Sequence, residues 1–436
     1  MRAARYYGKG DIRIEEIPEP AVGSGQIKIA PAFVGICGTD LHEYLGGPTF
    51  CPTTPHPITH DTIPVTFGHE FSGRIKEIGP GVQGNYKIGQ ACAIRPTLFC
   101  GRCAACGGGS ENVCPSGGFL GLSGGGGGLS EAVCVDAERV FPIPSHITLE
   151  EAALVEPLST SWHAVSAASD EISPGSVVLI FGGGPIGLAT VLCLKGKGVK
   201  EIIVSEVAAA RQDFARQFGA TRVIDPTKND VIKVVLELTN GKGADVVFDC
   251  AGVPSTIKAS CDAVRTKGTI VNVAIWEKDI AFNPNWITWK ESCYKSVLGY
   301  QDVDFNAVID KMATGAIRPG CMITRRIKLE NVVKDGIEAL INDKENHVKI
   351  LIDMDNKILV LAFEELPDVI RKEYGTYGDI LVRFVFGDAK PNPEVEIKKH
   401  QVLESYEYPQ LSEISAIMIA GSSETPVQNM LHGKMR

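Results

Sequence analysis

An apolar run of strand length that passes directly into a glycine turn and then a helical pattern constrains this chain more than any other feature. Val177-Val-Leu-Ile-Phe181 reads as a buried strand, Gly182-Gly183-Gly184-Pro185-Ile186-Gly187 follows without a break, and Gly187 to Lys197 continues with helical spacing. In that context the G-x-G-x-x-G pattern has a mechanical meaning. Gly182 permits the turn, Gly184 lets the backbone approach a pyrophosphate, and Gly187 lets the helix pack close to the sheet. The helix N-terminus, opened by Pro185 and Ile186, faces phosphate charge with unpaired N–H groups. Glu206 ends the next strand, Glu201 to Ser205, where a carboxylate accepts from the adenosine ribose hydroxyls of a dinucleotide. A carboxylate there repels a 2′-phosphate and favours NAD over NADP. Arg211, close behind it, works the other way if it recruits that phosphate.

The same grammar continues with a helix over 211–218 and strands over 244–249 and 268–273. Alternation of this kind predicts an α/β fold with a doubly wound parallel sheet and right-handed crossovers. Residues 1–156 read differently, as short β segments separated by turns: 26–30, 73–78 and 131–135. Block 297–353 returns with a helical stretch over 332–341 and a strand over 347–352. The expected organisation is therefore a β domain over 1–156, the dinucleotide domain over 157–296, a return to the first domain over 297–353, and a separate segment over 354–436.

Thirteen cysteines need explaining in a chain whose first residues carry no apolar core of signal-peptide length, so that a cytoplasmic location is expected. Cys100, Cys103, Cys106 and Cys114 stand in one short run rich in glycine. Three thiolates at i, i+3 and i+6 and a fourth from the returning chain can close a tetrahedron around Zn²⁺ at about 2.3 Å per sulfur. Such a site has no free position, so its role is structural. A second donor set is open: Cys37, with Thr39 and His42 just after it, then His69-Glu70, then Glu156 where the two domains meet. A catalytic Zn²⁺ wants three protein ligands and an exchangeable place. With a net charge of −9, no basic run of five residues and no apolar stretch of membrane-span length, nucleic acid and membrane are excluded as partners, leaving a small molecule.

Taken in order, Gly68-His69-Glu70, the four-cysteine loop, Val155-Glu156-Pro157-Leu158 and the Gly182–Gly187 turn resemble the zinc-dependent medium-chain alcohol dehydrogenases over about residues 1–352. Within that family the segment Cys37 to Pro48, the insert up to Pro64, and Asn283-Pro-Asn-Trp286 with Leu298-Gly-Tyr300 look most like the (R,R)-2,3-butanediol dehydrogenases. Polyol (sorbitol, xylitol) and threonine dehydrogenases share the metal motifs.

The resemblance implies a GroES-like catalytic domain joined to a Rossmann domain, two Zn²⁺ per subunit, NAD, and hydride transfer from a secondary alcohol such as a vicinal diol. Assembly would be as a homodimer or homotetramer. Cys37 and His69 would hold the catalytic zinc, with Glu70 and Glu156 completing the shell. Thr39 would pass on the hydroxyl proton, and His42 would end that relay at solvent. A catalytically silent NAD-binding protein and a zinc-free quinone reductase are the rival readings; the intact donor set argues against both.

Two segments stand apart. The five glycines Gly124–Gly128 read as a flexible loop near the structural-zinc lobe. Residues 355–436, with strands over 357–363 and 414–420, resemble the opening of a class I glutamine amidotransferase-like domain, an incomplete α/β appendage. Its nucleophile would be a cysteine, yet the last cysteine of the chain is Cys321. The segment is therefore expected to be catalytically inert, the product of read-through or of a merged reading frame.

Overall fold

A computed structural model describes residues 1–276 and 279–354, together with three strands of the C-terminal segment, Ile358–Ala362, Glu396–Lys399 and Ala416–Ala420. The chain forms two compact units, Met1–Met354 and Asp355–Arg436.

In the first unit, six strands make one parallel sheet in the order Arg222–Ile224, Glu201–Ser205, Val177–Phe181, Ala244–Asp249, Val264–Asn272, Cys293–Ser296. Val178, Leu179 and Ile180 are fully buried because helices cover both faces, which is why these strands read as continuous apolar runs rather than alternating ones. The register pairs Phe181 with Ser205 and with Asp249. Three strands thus end level, and the glycine turn and Glu206 emerge side by side at the carboxyl edge, where ligands of such sheets bind.

The second sheet has seven strands and mixes the two ends of the unit. Gln26–Gly35 pairs antiparallel with Glu70–Ile78 on one side and with Lys349–Asp353 on the other, and Lys349–Asp353 pairs parallel with Ile323–Lys328. The block after residue 296 therefore supplies two strands to the sheet that carries Cys37 and His69. Met354, assigned from sequence to the tail, belongs here too: its N–H donates to the Ala32 carbonyl at 2.9 Å and its side chain is buried. The helix Val155–Ala167 joins the lobes, with Val155, Leu158 and Val165 in the apolar cluster that also holds Val178 and Leu351.

Two expectations need correcting. Gly124–Gly128 is a packed strap, not a flexible loop. Gly128 donates to the Gly68 carbonyl at 2.8 Å, and Gly125 donates to Asp61 Oδ2 at 2.7 Å. A Cβ on Gly128 would stand 2.6 Å from the Phe71 ring. A Cβ on Gly127 would likewise collide with the Phe67 carbonyl, so close backbone approach leaves no room for side chains there. The stretch over 332–341 opens as a wide π-type turn, Val332–Ile337, before the α-helix Glu338–Asn342; Gly336 there presses on Ile36, leaving no room for a Cβ.

In the second unit Ile358–Ala362 lies between Glu396–Lys399 and Ala416–Ala420, all parallel, with Ile358 opposite Ala416. The remaining expectations for the tail fall outside the described residues.

Candidate active site and zinc centre

Cys37 caps the helix Gly38–Gly46, and its N–H donates to Asp40 Oδ2 at 2.9 Å, so the first helical turn fixes the thiol. His69 follows Gly68, whose φ of +99° belongs to the left-handed region. The turn projects the imidazole toward the same point. One donor atom each of Cys37, His69 and Glu70 lies within 4.8 Å of the others. His69 Nδ1 and Asp40 Oδ1 face each other at 3.5 Å, both buried and without a good hydrogen bond. Burial opposes a charge on the His69 ring, yet Asp40 and the Cys37 sulfur hold its pKa well above the ordinary imidazole value. A donor set so arranged draws in a cation, and a divalent metal fits it.

Glu156, in the first turn of the helix Val155–Ala167, is outside that triad of donors but coupled to it. Burial pushes its carboxyl up to about 7, against the pull of His69 and with Glu70 adding to the rise; Tyr300 donates its hydroxyl to Oε1 at 3.0 Å. Thr39 Oγ1 lies 3.7 Å from Cys37 Sγ. His42 is exposed on the same helix.

The four-cysteine loop closes as a unit. Sγ of Cys103 is 3.5 Å from that of Cys106 and 3.9 Å from that of Cys114, and all four sulfurs lie within 4.8 Å of one another. A tetrahedron with arms of about 2.3 Å has edges of about 3.8 Å, so the spacing suits Zn²⁺. Cys103 Sγ accepts the Cys106 N–H at the start of the short helix Ala104–Gly107. Backbone N–H groups of Arg102 and Cys103 lower Cys100 to about 6, which favours a thiolate ready for metal. Burial and the Cys103 sulfur push Cys106 up to about 12, the crowding that a bound cation relieves.

At the dinucleotide edge, Gly182 has a φ of +96° and donates to Ser205 O at 2.9 Å. A Cβ on Gly187 would collide with the Gly182 carbonyl. Gly184 caps the helix Pro185–Gly196, with Pro185 at its first position and Ile186 next. Glu206 is buried, and both oxygens are engaged: Oε2 accepts the Gly183 N–H at 2.6 Å and Oε1 the Ala208 N–H at 2.8 Å. It clasps the turn, with lone pairs left for a ribose. Arg211 donates from Nη2 to Lys344 O at 3.0 Å, and its Nη1 would be 3.9 Å from a Cβ on Gly184.

Three residues escape sequence reasoning. Asp40 had a signal, an acid three residues after the helix-capping Cys37. The contacts of Tyr300, which stands in the Leu298-Gly-Tyr300 segment, and of Lys349 have no local signal, because each acts across the fold. Lys349 is buried, donates to both oxygens of Glu70 at 2.7 Å, and is kept charged despite its burial by Glu70 and Cys37.

Residues 23–145 match the alcohol dehydrogenase GroES-like domain and residues 185–314 the zinc-binding dehydrogenase domain. The chain is 42% identical over 354 residues to the (R,R)-butanediol dehydrogenase of Bacillus subtilis, covering 81% of this chain and 99% of that protein. It is 31% identical over 353 residues to the sorbitol dehydrogenase of the same organism, covering 81% and 97%. The crystal structure of 2R,3R-butanediol dehydrogenase from Bacillus subtilis superposes with a TM-score of 0.76 at 40% identity, over 81% of this chain and 99% of that one. Among the described residues no helix is long and apolar enough to cross a membrane.

Proposed function

The chain belongs to the zinc-dependent medium-chain alcohol dehydrogenases, oxidoreductases acting on CH–OH groups with zinc and a nicotinamide cofactor, and from that premise we propose that it interconverts a vicinal diol of the 2,3-butanediol type and its hydroxyketone with NAD. The observation that carries the reading is the meeting of thiol, imidazole and carboxylate within 4.8 Å beside a buried second carboxylate.

Cys37, His69 and Glu70 would hold the catalytic zinc, with Glu156 the second carboxylate beside them, and Cys100, Cys103, Cys106 and Cys114 would hold a second, structural one. Zinc at the first site supplies Lewis acidity that brings an alcohol hydroxyl into the range of ionisation near neutral pH. The nicotinamide supplies the hydride acceptor. Asp40 fixes the Cys37 backbone through its N–H and faces the His69 ring, so the two donors keep their places during turnover. Thr39 would accept the substrate hydroxyl proton as it passes its own on toward His42, and the carbinol hydrogen would leave with the C–H electron pair for the nicotinamide as the C=O bond forms. Glu206 accepts from the adenosine ribose, and its charge repels a 2′-phosphate, which supports NAD.

The test is initial-rate reduction of NAD across the stereoisomers of 2,3-butanediol, sorbitol, xylitol, threonine and ethanol. A kcat/KM for one butanediol isomer at least about tenfold above all others is expected, about 1.4 kcal/mol of transition-state preference. Sorbitol or xylitol ahead of every butanediol isomer would replace the diol by a polyol, as the sorbitol dehydrogenase relative suggests.

A further inference from the structure

The strand Lys349–Asp353 comes from the last block of the first unit, yet its first residue reaches the metal centre. The side chains of Lys349 and Glu70 are 3% and 1% exposed. Nζ donates to each Glu70 oxygen at 2.7 Å and to the Ile36 carbonyl at 3.1 Å. An ammonium has three N–H groups. All three are used, and on residues that adjoin Cys37 and His69. Gly35 makes the arrangement possible, since a Cβ there would collide with Glu70 Oε2 and stand 3.3 Å from Lys349 Cδ.

Glu70 is therefore claimed twice. Both its oxygens are ion-paired to Nζ, while one of them lies within 4.8 Å of the Cys37 and His69 donors. A metal at that point and the ammonium draw on the same carboxylate. Glu156 has a neutral hydroxyl, that of Tyr300, as its partner instead.

We infer that Lys349 is a positioning residue that competes with the metal for Glu70, keeping that carboxylate a weak and displaceable ligand and so preserving the exchangeable position for the alcohol. The inference deepens the proposed function and rests on Cys37 and His69 holding zinc. It assigns opposite signs to the two ends of one ion pair. Without the ammonium, Glu70 turns fully to the metal and tightens the site; without the Glu70 charge, the site loses a ligand. A merely structural pair predicts one sign, because breaking a buried pair from either end leaves an uncompensated charge and loosens the surroundings.

The experiment is zinc release from the purified full-length holoenzyme to a chromophoric chelator, with the kinetic phase missing in Cys37→Ala identifying this site. Lys349→Met is expected to slow that phase about tenfold and Glu70→Gln to speed it about tenfold, the range seen for groups that support metal ligands. With Co²⁺ replacing zinc, Lys349→Met should change the position or intensity of the visible d–d bands relative to wild type, as Glu70 is released to the metal. Lys349→Arg keeps the charge and should stay within about threefold of wild type. Should Lys349→Met fail to fold, Glu70→Gln/Lys349→Met removes both buried charges together, and it should release zinc within about twofold of Glu70→Gln. Faster release from both single variants, or much faster release from the double variant than from Glu70→Gln, overturns the inference. Two zinc equivalents retained by Cys37→Ala would sink the reading of the metal centre itself, and this inference with it.

Discussion

Replacing Glu206 by Ala tests two roles of one carboxylate. The side chain accepts N–H groups from Gly183 inside the glycine turn and from Ala208 beyond it. A hydrogen bond to a charged acceptor contributes about 1.5–3 kcal/mol, and in the Ala variant the turn relaxes and admits water, so we expect a net loss of about 2–4 kcal/mol. For a unit running from Met1 to Met354 that lowers Tm by about 3–5 °C. The second role concerns the cofactor. A unit charge facing one charge of a 2′-phosphate at about 6 Å, in an effective dielectric of about 20, costs about 3 kcal/mol, or about 100-fold in affinity. Glu206→Ala should accordingly shift the NADP:NAD ratio of kcat/KM by about two orders of magnitude. Thermal melts with and without saturating NADH, and initial rates with both cofactors, measure the two effects separately. A variant that melts like wild type and keeps its cofactor ratio would refute the whole argument. One that is destabilised with an unchanged ratio would leave Glu206 as a clasp only, and a wild-type enzyme preferring NADP would return the weight to Arg211.

Cys37→Ser or His69→Ala should abolish turnover while NADH binding, followed by nicotinamide fluorescence, stays near normal; full activity in Cys37→Ala rejects zinc catalysis at this site. Cys103→Ala opens the four-sulfur cage and should lower Tm or the yield of assembled protein, with activity falling only in step. A stable, folded Cys103→Ala protein that has lost turnover alone would make that site catalytic. Truncation should follow Met354 rather than Asp353, because Met354 is hydrogen-bonded and buried in the first unit. The shortened enzyme should keep kcat and KM within about twofold and gain solubility, Ala416–Ala420 standing at the edge of its sheet among the described strands. A tenfold loss in a folded truncate would show that the C-terminal segment takes part.

What was legible in the sequence was what short range encodes. The Gly182–Gly187 turn and the spacing of Cys100 to Cys114 each specify local geometry, and a strand or helix boundary a few residues away does not alter it. Tyr300 meets Glu156, and Lys349 meets Glu70, over 144 and 279 residues of chain. In the run His347-Val-Lys-Ile-Leu-Ile352 the lysine reads as an ordinary polar interruption of a strand. Only the sheet order brings it under Glu70. The five glycines misled for a related reason: composition signals conformational freedom, whereas φ values of +88°, +74° and +87° at Gly124, Gly125 and Gly126 belong to backbone pressed against Leu120, Thr59 and Val133.

The sheet order also dictates a timetable. Gln26–Gly35 emerges early in synthesis, but its neighbour Lys349–Asp353 is the last strand of the first unit to be made, after the whole dinucleotide lobe. At about 5–20 residues per second the interval is roughly 15–60 s. Throughout it Phe33–Gly35 lack their partners on that flank, and Glu70 lacks the Lys349 ammonium. The dinucleotide lobe, whose six strands are contiguous in the chain, can reach its native sheet in that time without help from either end. Maturation of the metal centre is then a terminal event, and a nascent chain halted before residue 349 carries Cys37 and His69 without the ammonium that organises their surroundings.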